Sequence, residues 1–356
     1  MKLGIIGLPQ TGKKTLFQIL TGNELREQSG PPKPLPGIAE IIDPRFDALV
    51  KLYSPKSQVR AKIELMLLPK IEQENIAKGH IFKDIADVDA VCHVVRVFED
   101  ESVYHAEGSV DPIRDMEMVN SELIMHDQIF VEKRIERIEI AIKKIKDEKQ
   151  EKELVLLRKM LDHLEQEIPL RLMEFSHDDE MLIKSYPFIT KKELILAFNV
   201  SEEELKTNKI LDKVADFCRE QKIEAMIVSA QVESEIALLD SDEEKQIFLE
   251  DLQIEEAALG ILTRLCLRAL GLVSFFTVGE DEVRQWLVRR NSSAPVAAGV
   301  IHSDLQRGFI RAEVMKYAEL MQYGNEAELK KVGKMNLEGK EYIVNDGDIL
   351  NIRFKV

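Results

Sequence analysis

GLPQTGKKT, residues 7–15, decides how the rest of the chain is read. It follows the apolar run LGIIG (3–7) and leads into LFQIL (16–20), an order of strand, glycine-rich turn and helix. A strand–GxxxxGK[ST]–helix unit binds phosphate because successive backbone N–H groups and a helix N-terminus wrap the anion. The lysine then neutralises it, and the hydroxyl that follows holds Mg²⁺. Gly7, Gly12 and Lys13 stand at that spacing. Lys14, however, occupies the place of the metal-binding hydroxyl, and Thr15 comes one position late. The stretch therefore poses a question: does the chain hydrolyse a nucleotide, hold one, or keep the loop as scaffold?

Outward from the loop, KIELMLL (62–68), AVCHVVRVF (90–98), LILAFNV (194–200) and AMIVSA (225–230) are near-continuous apolar runs, as expected for buried strands of a parallel sheet. Helical stretches lie between them, so the pattern predicts a doubly wound, mostly parallel α/β domain with its ligand at the carboxyl ends of the strands. QSGPPKPLPG (28–37) carries four prolines and reads as an exposed loop.

Two segments break this alternation. Val131, Ile135, Ile138, Ile142 and Ile145 recur at steps of four and three, as do Leu154, Leu157, Leu161, Leu164 and Ile168. Separated by KDEKQEKE, they are read as an antiparallel coiled-coil hairpin or as two packed surface helices. At the other end, EYIVNDGDILNIRFKV turns at Asn345, Asp346 and Gly347, and Leu350, Ile352, Phe354 and Val356 alternate with polar residues. This predicts a hairpin with one buried face, within an α+β module spanning 274–356. The expected domains are 1–118 with 178–273, an arm over 119–177, and 274–356.

At 356 residues the chain exceeds one ordinary core, and 45% hydrophobic with 32% charged residues is ordinary for a globular protein. No apolar run reaches the roughly 18 to 20 residues that cross a bilayer, and the start of the chain does not read as a signal peptide. Cys92, Cys218 and Cys266 lie far apart among apolar neighbours, reading as reduced core thiols and pointing to the cytosol. A net charge of −15 argues against general nucleic-acid affinity. The segment from Ser274 onward is balanced, with 12 Lys+Arg and 12 Asp+Glu, so a local RNA contact there and a plain solvated surface both stay open. The seven histidines show no paired spacing, and no metal site is expected. Trp286 is read as packing rather than contact.

These residues resemble the YchF proteins, Obg-related translation-factor NTPases. The likeness runs through GLPQTGKKT, DPRFDAL (43–49), DAVCHVVRVFED (89–100), NSEL (120–123) and SAQVESEIALL (229–239). It is most specific in FFTVGEDEVRQW (275–286), APVAAGVIHSDLQRGFIRAEV (294–314) and LEGKEYIVNDGDI (337–349). The resemblance implies a P-loop G domain with a coiled-coil insertion and a C-terminal TGS domain of β-grasp form. It implies ATP or GTP as ligand and association with the ribosome or RNA.

Carried over by position, Gly7, Gly12 and Lys13 match the phosphate loop. Lys14 and Thr15 lie beside it. Asn199 to Glu202 (NVSE) match the base-recognition motif, in which a Glu in place of the usual Asp relaxes guanine preference. Ser229 and Ala230 match the segment whose backbone meets the base. NVSE also reads as a strand end followed by a helix cap. Three positions depart from the pattern: Lys14; Pro31, near the expected metal-binding Thr; and Leu67, Leu68, Pro69 and Lys70, where DxxG should stand. These losses put Mg²⁺ in doubt and favour weak or no hydrolysis. A nucleotide-independent ribosome- or RNA-binding adaptor, and an active ATPase completed by a partner, remain as alternatives.

Overall fold

The computed structural model describes residues 1–25, 33–72, 80–105, 108–145, 147–207, 209–239, 241–254 and 256–355. Pro31 lies outside them. The chain divides into two compact units, 1–38 with 64–262 and 39–63 with 263–356.

The first unit is built on a six-stranded sheet. Its strands are β1 (Lys2–Ile6), β2 (Leu35–Glu40), β4 (Lys62–Leu67), β5 (Ala90–Arg96), β6 (Glu193–Asn199) and β7 (Glu224–Val228), in the order β2-β4-β1-β5-β6-β7. β1 pairs in parallel with β4 and β5, β5 with β6, and β6 with β7. In this register Arg96 faces Asn199, and Asn199 faces Val228, so the carboxyl ends of three strands meet at one edge beside the turn after β1. β5 is buried along its whole length, as its unbroken apolar run requires. Cys92, Cys218 and Cys266 are buried free thiols. The proline-rich segment is not loop throughout: Leu35–Gly37 open β2, where alternate exposure and an edge position accommodate Pro36.

Two helices, Pro112–Lys144 and Glu148–Glu165, form the arm. Asp111 and Asp147 cap their first turns by accepting from Arg114 N and Lys149 N. Val131, Ile138, Leu157 and Leu164 are buried between the helices, with Ile135, Ile142, Leu154 and Leu161 partly buried around them. Ile145 does not join the seam. It follows the first helix and is 76% exposed. The seam also continues into Leu170, Ile183 and Phe188, so the hairpin packs on its own return segment as well as on itself. The anchor is Asp127, fully buried, which accepts from Ile189 N, Thr190 N and the Thr190 hydroxyl at 2.7 to 3.1 Å.

The second unit holds another six-stranded sheet, formed by β3 (Ser57–Val59), β8 (Leu272–Thr277), β9 (Glu282–Arg289), β10 (Phe309–Lys316), β11 (Asn336–Glu338) and β12 (Asp348–Phe354). Their order is β11-β10-β12-β8-β9-β3. The helix Ala294–Ile301 packs Ala294, Ala297 and Ala298 against Val273, Phe275, Val314 and Leu350. The expected boundary moves here. Residues 39–63 belong to this unit because the helix Pro44–Tyr53 buries Phe46 and Leu49 against Phe276, Val283, Met315 and Ile349. The expected terminal hairpin is also replaced. β12 pairs antiparallel with the distant β10 and parallel with β8. Ile349 and Leu350 are both buried while Phe354 is 48% exposed, because β12 is central and covered on both faces only at its start. Val356 lies outside the described residues. Trp286 is packing: it stacks on Phe275, and its Nε1 donates to the Thr277 hydroxyl at 2.9 Å.

Replacing Asp127 by Ala leaves two buried backbone N–H groups without acceptors, each costing about 1–3 kcal/mol. Urea unfolding of Asp127→Ala should therefore show a loss of at least about 2 kcal/mol. Loss in the first transition, with Ala substitution at exposed Lys149 near neutral, is the expected pattern.

Candidate functional site: the phosphate loop

The turn after β1 has the backbone of a phosphate cradle. Gln10 (φ 59°) and Gly12 (φ 84°) are left-handed, and Gly12 caps the helix Lys13–Thr21. A Cβ on Gly7 would lie 2.6 Å from the carbonyl oxygen of Val94 on β5, which as backbone cannot yield. A Cβ on Gly12 would lie 2.1 Å from Nδ2 of Asn199. The two glycines are thus required by different neighbours, one a strand and the other a single side chain.

That side chain joins the site's parts. Asn199, at the end of β6 and 3% exposed, donates through Nδ2 to Thr11 O at 3.0 Å and accepts at Oδ1 from Ala230 N at 2.9 Å. One amide therefore holds the phosphate loop and the turn after β7 together. Ser229, also buried, caps the helix Ala230–Ala237 by accepting from Val232 N. Glu202 is not drawn into this cluster. It is exposed at the first position of the short helix Glu202–Leu205, and Ser201 with Glu204 forms the capping box there.

Lys13 is 4% exposed, and its Nζ donates to Gly7 O at 2.9 Å and Leu8 O at 2.8 Å. Burial pushes its ammonium down to about 7, helped by the positive charges of Lys70 and Lys14 and opposed by Glu72. Burial also takes His93 down to about 3, with Lys13 adding to the shift. The site is thus electropositive and short of anions, which suits a phosphate ligand.

It does not suit Mg²⁺. Lys14 is exposed on the first turn of its helix in the hydroxyl's place, and Thr15, one residue on, is rotated by about 100° around the axis. Leu67 and Leu68, where the metal-orienting carboxylate should follow β4, are buried in apolar contacts. The donor set offers ammonium groups where a divalent cation needs oxygen.

Arg96 has a part that the sequence reading missed. At the end of β5, 1% exposed, it donates to the carbonyls of Phe98, Asp100, Val103 and Tyr104 at 3.1 to 3.4 Å and so fixes the loop beside Asn199. An arginine inside the apolar run AVCHVVRVF was the available signal, since a buried guanidinium needs acceptors.

Fold and site together define a P-loop NTPase of the G-domain class with a helical insertion and a separate C-terminal domain. A family model named YchF-GTPase_C, described as "Protein of unknown function (DUF933)", matches residues 272–355. The chain is 40% identical to the ribosome-binding ATPase YchF of Bacillus subtilis (strain 168), over 99% of both chains. It is 36% identical to Obg-like ATPase 1 of Oryza sativa subsp. japonica, over 100% of this chain and 92% of that one. The structure of the Schizosaccharomyces pombe YchF GTPase superposes with a TM-score of 0.82 at 31% identity, covering 99% of this chain and 97% of that chain. The chain belongs to the YchF family. A GTP binding protein from Pyrococcus horikoshii OT3, at 16% identity and a TM-score of 0.59, shares the fold.

Two outcomes are expected. Gly12→Ala forces a Cβ onto Asn199 at a left-handed φ, and should lower both stability and nucleotide affinity, read by thermal unfolding and equilibrium binding. For Lys13 the sign follows from its lowered pKa. Between pH 7 and 10.5 the unfolded chain binds the extra proton, so this group's contribution to stability rises with pH across that window. The difference in unfolding free energy between wild type and Lys13→Met should therefore grow from pH 7 to 10.

Proposed function

We propose that the chain is a cytosolic, purine-nucleotide-binding P-loop protein that acts on the translation machinery, with slow or no hydrolysis. The observation that carries the binding reading is the Asn199 amide, which fastens Thr11 to Ala230 while Lys13 lines the same loop. A phosphate cradle and a base-side turn tied by one group are what a mononucleotide needs at its two ends. Ribosome association is proposed from the names of full-length relatives, the ribosome-binding ATPases YchF of Bacillus subtilis and Haemophilus ducreyi. No described helix is long and apolar enough to cross a membrane.

Slow turnover follows from what surrounds the cradle. Phosphoryl transfer depends on in-line positioning and on neutralising charge as it develops, and Mg²⁺ supplies much of both. Leu67 provides no metal-orienting carboxylate, and Lys70 puts a side chain where a glycine would let the backbone approach the terminal phosphate closely. Base preference rests on NVSE, whose Glu202 is exposed and does not reproduce the carboxylate that pairs with guanine in one fixed geometry. ATP is therefore the expected ligand at least as much as GTP.

Equilibrium titration with ATP, GTP and ADP, together with phosphate release and co-sedimentation with 70S ribosomes, tests the reading. ATP should bind no more weakly than GTP, and Lys13→Ala should weaken ATP by about 2–3 kcal/mol, a loss of roughly 30- to 150-fold. GTP preferred by about a hundredfold would show that the base site is misread, whereas ribosome binding indifferent to nucleotide and to Lys13→Ala would favour the adaptor alternative in which the loop is scaffold.

A further inference from the structure

We propose that this chain holds the polyphosphate of its nucleotide without a divalent cation, Lys14 and Lys70 supplying the countercharge that a metal supplies in a complete site. The inference rests on the nucleotide-binding reading above and goes beyond it in naming the ligand's form, a metal-free nucleoside polyphosphate.

The geometry begins at one carbonyl. Gly7 O accepts from Lys13 Nζ at 2.9 Å and from Ile71 N at 3.3 Å. Leu68 N donates to Ile5 O at 3.0 Å, so the segment after β4 is stitched to the strand and turn that make the cradle. Lys70 is adjacent to Ile71 and therefore stands at the rim of the loop. In a complete site that rim carries a glycine and, three residues before it, a carboxylate. Here the carboxylate position is Leu67, 4% exposed in apolar packing, and the glycine position is a lysine. In the first turn of the helix Lys13–Thr21, Lys14 replaces the hydroxyl.

These two replacements are coupled in sense. Either alone removes one metal contact, but together they also bring two ammonium groups close enough to Lys13 to act on its charge. Like charges repel a dication, and a triphosphate attracts both. Lys13 already feels Lys70 and Lys14 as positive neighbours across the loop. Among the described residues, Glu72, whose carboxylate lies 3.3 Å from Lys70 Nζ, and His93, held neutral by burial, also bear on the cluster. Glu72 competes with the phosphates for Lys70. Its side chain is 40% exposed, so it can be displaced into water at little cost.

The consequence for function is a bound state that does not depend on magnesium and that lacks the ion which would organise hydrolysis. Nucleotide then serves as a ligand that is bound and released.

Isothermal titration of the full chain with ATP, in magnesium and in excess EDTA, is the deciding experiment. The dissociation constant in EDTA should stay within about threefold of its value in magnesium. The double variant Lys14→Gln, Lys70→Gln should lose about tenfold or more in EDTA, while Lys14→Arg, Lys70→Arg should retain binding. Both lysines are exposed or half-exposed, and equal unfolding temperatures for the two variants control for folding. Binding in magnesium that weakens by about tenfold or more in EDTA overturns this proposal and leaves the nucleotide reading standing. A glutamine double variant that binds like wild type in EDTA overturns it likewise. No binding of ATP or ADP under either condition removes the nucleotide reading itself, and this proposal with it.

Discussion

The first unit depends on the side-chain amide of Asn199. Its two hydrogen bonds, to Thr11 O and from Ala230 N, are buried. Three strand ends, those of β1, β6 and β7, are thereby held in one arrangement by a group with one donor side and one acceptor side. The same amide dictates that residue 12 be glycine, since no Cβ fits beside it. Sequence positions nearly two hundred apart are in this way constrained by a single contact.

Lys13 shows the cost and the use of that arrangement. An ammonium buried against two carbonyl oxygens is poorly solvated, and two further lysines raise the local potential. An anion relieves all three at once. A cradle left poorly solvated when empty favours an anionic ligand, which is what supports reading the loop as a candidate phosphate site.

The arm is organised by buried polar anchors of a different kind, and the second unit by a partly exposed ion-pair bridge. Asp127 ties the long helix to residues 189–190. Along the same seam Glu153 accepts from Arg134 Nε at 2.8 Å and from the Tyr186 hydroxyl, closing the hairpin with a paired charge. In the second unit Arg45 bridges Asp43 and Asp346, each at 2.8 Å. It thereby connects the cap of the helix Pro44–Tyr53 to the turn before β12. Where the carboxylate is buried, as at Asp127, Glu153 and Asp43, such contacts set register, because a buried charge is tolerated only where its partner is in place.

The sequence by itself determined the elements whose signal is local. GLPQTGKKT specifies its turn through glycine spacing, four apolar runs specify parallel strands, and isoleucine and leucine periodicity specifies the two arm helices. It also determined what the metal site lacks, since Lys14, Leu67 and Lys70 are identities rather than positions in space. Only the tertiary structure decided that Leu35–Gly37 is edge strand, that Ile145 leaves the seam, that residues 39–63 belong to the second unit, and that β12 pairs with β10 rather than with the segment before Gly347. Each of these depends on which distant surface covers a short apolar segment, and periodicity is silent on that. The same holds for Arg96 and Asn199: composition shows a polar group in an apolar run, but only the folded chain brings to it the carbonyls and amide that make its burial stable.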